Sequence, residues 1–235
     1  MKFKKKYILG IIPARGGSVG IKNKNIFKIF GKELIKYTLE DAKKSTKITH
    51  LLLSTDSKKI HKVAKDRKIF FLGYRPKRLS GKKSNIIDVL KFETLKLERV
   101  LGTKFYYVAL LQPTSPIRNN NLIDKSINKI QRNNGDSLIS LAELNEPHPI
   151  KLKKIKNNKV LDYVKWEIEN PARQSLPKLY RPTGAIYIVK RDILIKKSSL
   201  KGKRVIPFIV KNDDFVNIDE IKDIEIFKLK LREKK

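Results

Sequence analysis

The sequence predicts an α/β fold, a mostly parallel twisted sheet flanked by helices, with a small β-hairpin excursion. Three observations predict it. Short apolar, β-branched runs alternate with longer segments of helical period, which is the pattern of βαβ units. A glycine-rich turn directly follows the first run, where open α/β sheets bind their ligands. Past Glu143 the alternation breaks into Pro-rich, polar-apolar stretches around Asn157-Asn158, the mark of a hairpin.

The elements follow in order. Tyr7–Pro13 reads as the first strand and Glu33–Lys44 as a helix with Leu34, Tyr37 and Leu39 inward. His50–Ser54 is the second strand, Ser57–Arg67 a helix with Ile60, Val63 and Ala64 on one side, and Ile69–Leu72 a short third strand. The helix Asn85–Leu101 is the clearest, because Ile87, Leu90, Thr94, Leu97 and Leu101 recur at spacings of three and four. Phe105–Leu111 is the next strand, followed by a helix over Asn121–Gln131 and a strand over Ser137–Ala142. Lys151–Ile155 and Lys159–Val164 form the arms of the hairpin. Gly184–Val189 and Val205–Val210 return to strand, and Asp219–Leu231 closes with Ile221, Ile224, Phe227 and Leu231 inward. The whole chain, 1–235, reads as one domain, with about 143–180 as an inserted excursion.

Apolar residues make up 40% and charged residues 33%, a balance that predicts a packed core rather than disorder. Without cysteine, disulfide frameworks, thiolate metal sites and a Cys nucleophile are excluded. No apolar run approaches the roughly 20 residues of a membrane helix. Lys2, Lys4, Lys5 and Lys6 precede an apolar stretch, as in a signal peptide, but that stretch is short and ends at Pro13-Ala14-Arg15. A mature start at Met1, a cytoplasmic location and no membrane contact are therefore expected. The formal net charge is +32, which raises nucleic-acid binding. The lysines are spread over every segment, with no stacking-aromatic signature or zinc spacing, so no specific nucleic acid is expected. The charge favours anionic substrates.

The first strand runs into Pro13-Ala14-Arg15-Gly16-Gly17-Ser18-Val19-Gly20-Ile21-Lys22-Asn23-Lys24-Asn25. Its glycines let backbone N–H groups approach an anion, Arg15 and Lys24 add charge, and Asn25 adds an amide. The loop is neither G-x-G-x-x-G nor a Walker sequence. Three further segments stand after predicted strands or near the end of the chain. In Ser54-Thr55-Asp56-Ser57, Asp56 or Ser57 is expected to cap a helix. Gln112-Pro113-Thr114-Ser115-Pro116-Ile117-Arg118 is a proline-stiffened loop displaying an amide, hydroxyls and an arginine. In Val216-Asn217-Ile218-Asp219, Asn217 and Asp219 share one face of an extended segment, which suits a Mg2+ clamp completed by phosphate oxygens. Asp219 is also a candidate N-cap of the last helix. His50, His61 and His148 share no ligand spacing, and His50 and His61 read as surface or packing residues.

Together these segments resemble the acylneuraminate cytidylyltransferase (CMP-sialic acid synthetase) family. The resemblance is collinear and covers nearly the whole chain: IIPARGGSVGIKNKNI, LSTDSKKI, YRPKRLS, LLQPTSPIR, HPIK, RQSLPKLYRPTGAIYI and VNIDEIKDIE. It implies a Rossmann-like domain binding CTP, with the excursion as the dimerisation arm of a homodimer that also completes the sugar site. It implies transfer of CMP to the anomeric hydroxyl of an acidic nine-carbon sugar (N-acetylneuraminate, or a legionaminate or pseudaminate), with release of pyrophosphate. Arg15, Lys24, Asn25 and Arg75, with Gly16, Gly17 and Ser18, are then expected on the nucleotide side. Gln112, Lys151, Arg173 and Tyr187 are expected to face the sugar, the cations near its carboxylate. Asp219 is expected to hold Mg2+, with Asn217 as the lesser ligand, and Arg15, Lys24 and Asp219 are the implied catalytic residues. The sequence departs from the family at Val19 and Lys82, where a lysine and an aspartate are usual. It departs again at Thr183 and Asn217, where an asparagine and an aspartate are usual. The competing readings are a sister activity on the eight-carbon keto-deoxy sugar acid, a weakly active or inactive homologue, and a basic nucleic-acid-binding protein.

Overall fold

The fold comes from a computed structural model, which describes residues 6–18, 20–119, 121–144, 147–165 and 171–233. The elements run β1 (Ile8–Pro13), β2 (Lys28–Ile29), β3 (Lys32–Glu33), α1 (Leu34–Lys44), β4 (His50–Ser54), α2 (Lys58–Ala64) and α3 (Ile86–Leu101). They continue with β5 (Tyr107–Leu110), α4 (Leu122–Arg132), β6 (Ser137–Glu143), β7 (Lys153–Lys156), β8 (Lys159–Asp162), β9 (Tyr180–Lys190), α5 (Arg191–Lys197), β10 (Val205–Ile209) and α6 (Ile221–Arg232).

The main sheet is six-stranded, in the order β10-β6-β9-β5-β1-β4. β1 pairs in parallel with β4 and β5, and β10 in parallel with β6, while β9 runs antiparallel between β5 and β6. This is the expected Rossmann-like, mostly parallel sheet. Its strands read as continuous apolar runs because both faces are covered. Ile8 and Ile12 of β1 join one cluster with Ile35, Leu39, Ile60 and Ile127 of the helices on that side. Leu9 and Ile11 join another with Leu90 and Leu97 of α3 and Leu194 of α5. A third cluster gathers Ile21, Ile29, Ile117, Ile218 and Phe227. It packs the glycine-rich loop, the loop after β5 and α6 against one another, and so sets the distance between the segments singled out in the sequence.

Local chemistry explains where elements begin and end. The Asn85 side chain accepts from Ile87 N–H at 2.9 Å to start α3, and Gly102 ends it at φ 63°, as caps should. The β7–β8 turn, Asn157-Asn158, has both residues at positive φ (50° and 59°), the type I′ geometry that suits two-residue hairpins.

Four expectations are corrected. The third strand over Ile69–Leu72 is reduced to one parallel bridge, Leu52 to Phe70. The chain then leaves the sheet, the Leu72 carbonyl accepting from Lys96 Nζ instead. α2 stops at Ala64 rather than Arg67, since Asp66 turns the chain by accepting from Lys68 N–H and Lys43 Nζ, each at 2.8 Å. Ile221 is 57% exposed rather than inward, at the first position of α6, whereas Ile224 and Phe227 are buried and Leu231 packs against the same cluster, as expected. Asp219 does not cap α6. Glu220 does, in a capping box with Asp223, and the Asp223 carboxylate takes the N–H groups of both Asp219 (2.8 Å) and Glu220 (2.7 Å).

Arg118 joins the layers. Its guanidinium donates to Ala185 O on β9, to Thr38 Oγ1 on α1 and to Gln112 O in its own loop, each at 2.8 Å. Burial pushes it down to about 10, with the Asp41 carboxylate opposing the shift. Replacing it with Met strands three acceptors in the interior. The Arg118→Met variant is expected to lose about 3 kcal/mol or more of unfolding free energy in a denaturant titration. Arg118→Lys should recover only part of this, since an ammonium lacks the planar fork.

Candidate active site

Three segments converge at the carboxyl ends of β1, β4 and β5. The glycine-rich loop leaves β1 and is braced at each turn. Ala14 N–H donates to Ser54 O (2.9 Å), Gly16 N–H to Asp56 Oδ1 (2.8 Å) and Asn25 Nδ2 to Arg15 O (3.0 Å). Asp56 therefore supports the loop, and Ser57 is the residue that caps α2. Gly16 lies close against Ser57, whose Cβ would stand 3.0 Å from an added Cβ. Gly17 has open space, and Ser18 is half-buried. Val19 lies outside the described residues.

The far end of this loop is clasped to the chain before α6. Lys24, almost fully buried, donates from Nζ to Ile218 O at 2.7 Å and lies 3.2 Å from Asp219 Oδ1. Gly20 approaches so closely that an added Cβ would lie 2.3 Å from Asp219 O. The other Asp219 oxygen accepts from Asn217 Nδ2 at 2.5 Å. Asn217 thus turns its amide nitrogen to Asp219, while Asn217 Oδ1 lies 3.3 Å from Ser115 Oγ. The pair is together as its spacing predicts, with one carboxylate rather than two oxygen donors on offer. Among the described residues no group of three or more His, Cys, Asp or Glu could form a cage for a metal. A Mg2+ ion would therefore rest on Asp219, water and substrate oxygens, a donor set such an ion accepts.

Beside the loop lies a cavity of about 340 Å³ whose lining includes Arg15, Arg75, Lys82, Gln112 and Thr114. Arg15 reaches across it to the Gly81 carbonyl at 3.0 Å. Arg75 is buried and already engaged, giving Nε to Ser54 Oγ (3.0 Å), Nη2 to Ser54 O (2.6 Å) and Nη1 to Leu79 O (3.4 Å). Burial holds its guanidinium below the usual arginine range. Ser54 Oγ in turn donates to Glu93 Oε1 at 2.7 Å, and burial raises the Glu93 carboxyl. Glu93 was not singled out from the sequence. Its signal was there, a carboxylate three residues after Leu90 and four before Leu97, on the buried stripe of α3.

The opposite wall depends on Gly184, whose φ of 76° and lack of a side chain let β9 approach Gln112. A Cβ there would lie 2.5 Å from both Gln112 Oε1 and Ser115 Oγ. Ser115 Oγ donates to Thr183 O at 2.8 Å, and buried Thr183 donates to Ser140 Oγ at 2.7 Å. Ile218 N–H meets Thr114 O at 2.7 Å. One wall of the cavity is thereby tied to the clasp.

Of the residues expected on the sugar side whose side chains are described, only Gln112 lines this cavity. Tyr187 is half-buried on the α3 side of the sheet, and burial raises its hydroxyl. Lys151 is exposed at the end of a 3-10 turn, Pro149–Lys151. Arg173 opens another, Arg173–Ser175, and its side chain lies outside the described residues. A larger groove, about 840 Å³, lies at the amino ends of β1 and β5, lined by Tyr7, Leu95, Phe105 and Tyr106 among others. It contains none of the segments singled out above.

With this geometry in place, known proteins are informative. The cytidylyltransferase family model matches residues 9–230. Post-translational flagellin modification protein B of Campylobacter coli is 34% identical over 97% of this chain and 96% of its own length. The CMP-N,N'-diacetyllegionaminic acid synthase of Campylobacter jejuni is 32% identical over 93% of this chain and 92% of its own. A solved CMP:2-keto-3-deoxy-manno-octonic acid synthetase complexed with CTP superposes with a TM-score of 0.67. That superposition covers 98% of this chain and 100% of the other at 16% identity, and so shows a shared fold. This chain, with its mostly parallel sheet and braced glycine loop and matched nearly end to end by this model and these relatives, belongs to the cytidylyltransferase family, in the branch of the acylneuraminate cytidylyltransferases.

Proposed function

We propose that this chain transfers CMP from CTP to the anomeric hydroxyl of an acidic nine-carbon sugar of the nonulosonic class, releasing pyrophosphate. The observation that carries the reading is the cavity at the glycine loop, lined by Arg15, Arg75, Lys82 and the Gln112 amide. Nucleotidyl transfer asks a protein mainly to position groups and neutralise charge. That is what cations and backbone N–H groups around such a cavity supply. Relatives named for legionaminic and N-acylneuraminic acids support an acidic sugar as the acceptor.

In this scheme the sugar oxygen attacks the α-phosphorus as its proton passes to solvent water, and the bond to the β-phosphate oxygen breaks with its electron pair leaving on pyrophosphate. Arg15 and the N–H groups of Gly17 and Ser18 hold the phosphates, while Gly16, its N–H held by Asp56, keeps the loop close to them. Arg75, locked by Ser54, fixes the wall of the nucleotide site, and Asn25 keeps the loop in shape through the Arg15 carbonyl. Asp219 would hold Mg2+ together with water and phosphate oxygens, and the ion would there supply Lewis-acid charge to the phosphates. Lys24 keeps the Asp219 carboxylate in place beside the loop. Gln112 faces the sugar, with Lys151 and Arg173 of the 143–180 excursion and Tyr187 of β9 completing its site.

That excursion also supports a homodimer. Every residue of β7 and β8 is exposed, and the cross-strand pair Ile155 and Val160 is 79% and 69% exposed. An isolated two-stranded hairpin is marginal in water, so a second copy covering this apolar face accounts for its stability.

Three outcomes are expected. With Mg2+, pyrophosphate release from CTP should appear with a nonulosonic acid and be at least tenfold slower with the eight-carbon keto-deoxy acid. Absence of release across the whole panel would contradict the reading. Asp219→Ala should abolish turnover while the melting temperature stays within a few degrees, as measured by the same assay and by calorimetry. The double change Ile155→Glu and Val160→Glu should convert a dimer to a monomer in sedimentation velocity.

A further inference from the structure

The lining of the cavity beside the glycine loop holds three cations, Arg15, Arg75 and Lys82, and no carboxylate. Two of the three are occupied by protein oxygens. Arg75 spends its guanidinium on Ser54 and Leu79, and Arg15 places Nη1 on the Gly81 carbonyl. Lys82 is exposed and makes no ion pair with a described carboxylate. It is also held in position, since it directly follows the carbonyl that Arg15 grips. That contact ties the Gly81–Lys82 turn to the Arg15 side chain of the glycine loop, in a cavity that Gln112, Pro113 and Thr114 also line.

At the clasp the balance runs the same way. The Asp219 carboxylate already faces the Lys24 ammonium and the Asn217 amide, so the protein sets little net negative charge there to hold a divalent ion. A site with a free ammonium at the loop and a neutralised carboxylate at the clasp places more of its phosphate-binding charge on the protein and less on metal.

On the reading of this cavity as a CTP site, we propose that Lys82 is a direct ligand of the nucleotide's phosphates, and that through it CTP binds the protein without a divalent cation. A primary ammonium on a flexible stem suits this role, because it meets phosphate as a point charge without a fixed geometry. The partner is a nucleoside polyphosphate rather than the sugar's carboxylate, because Lys82 follows the carbonyl held by Arg15, a residue of the glycine loop.

Calorimetric titration in EDTA, with CTP, cytidine and a nonulosonic acid as separate ligands, tests the proposal on the intact chain. Wild-type protein should bind CTP more tightly than cytidine. Lys82→Gln should weaken CTP about tenfold, equivalent to about 1.4 kcal/mol, leave cytidine unchanged and leave the melting temperature unchanged. Lys82→Arg should restore CTP affinity. Unchanged CTP affinity in Lys82→Gln overturns the proposal, and so does a loss confined to the sugar acid. CTP binding by wild-type protein only when Mg2+ is added also overturns it, while leaving the cavity's assignment to CTP intact. No nucleotide binding with or without Mg2+ removes that assignment as well.

Discussion

The Arg118 guanidinium is sunk in the interior with its donors shared among β9, α1 and the carbonyl of Gln112. A charge that deep is tolerated only when its hydrogen-bonding groups are matched, so the three acceptors must stay where they are. The loop after β5 is fixed as a consequence. Ser115 then meets the Thr183 carbonyl, Thr114 receives Ile218 N–H, and Gly184 closes to within contact of Gln112. The third apolar cluster, with Ile117 and Ile218 as members, forms around this anchor. The cavity wall and the clasp both descend from that one buried cation.

The site that results is built by restraint rather than by titration. Arg75, Lys24 and Asn25 give their polar groups to backbone carbonyls or to Ser54 and Asp219. They hold the loop and its neighbours in one arrangement before a substrate arrives. This is what phosphoryl-type chemistry needs, because preorganised charge costs no reorganisation during the reaction. Glu93 belongs to the same scaffold. Reaching Arg75 through Ser54 Oγ, it compensates a buried cation without contacting it.

Much of this was legible in the sequence because its causes are local. The period of α3, the glycine loop after β1 and the Asn-Asn turn each follow from propensity and spacing, and each stands where the residues put it. The glycine loop and the Gln112 segment were identified by type and by place after strands, and Arg75 by the family resemblance, and Arg15, Arg75 and Gln112 do line one cavity. What the sequence hid is tertiary. Asp219 reads as a helix cap by position, yet Glu220 and Asp223 form the box and leave Asp219 for Lys24, a partner 195 positions away in sequence. Ile69–Leu72 reads as a strand by composition, but its last carbonyl is claimed by Lys96. Lys82 stood out in the sequence as a departure from the family pattern, but its place beside Arg15 and in the cavity came only from the fold.

The central claim is that the small cationic cavity, and not the larger groove at the amino ends of β1 and β5, receives CTP. A crystal structure of the protein grown with CTP tests it most directly. The account predicts triphosphate density between the glycine loop and Lys82, within hydrogen-bond reach of Arg15. A nucleotide seated instead in the groove lined by Tyr7, Phe105 and Tyr106 would contradict it.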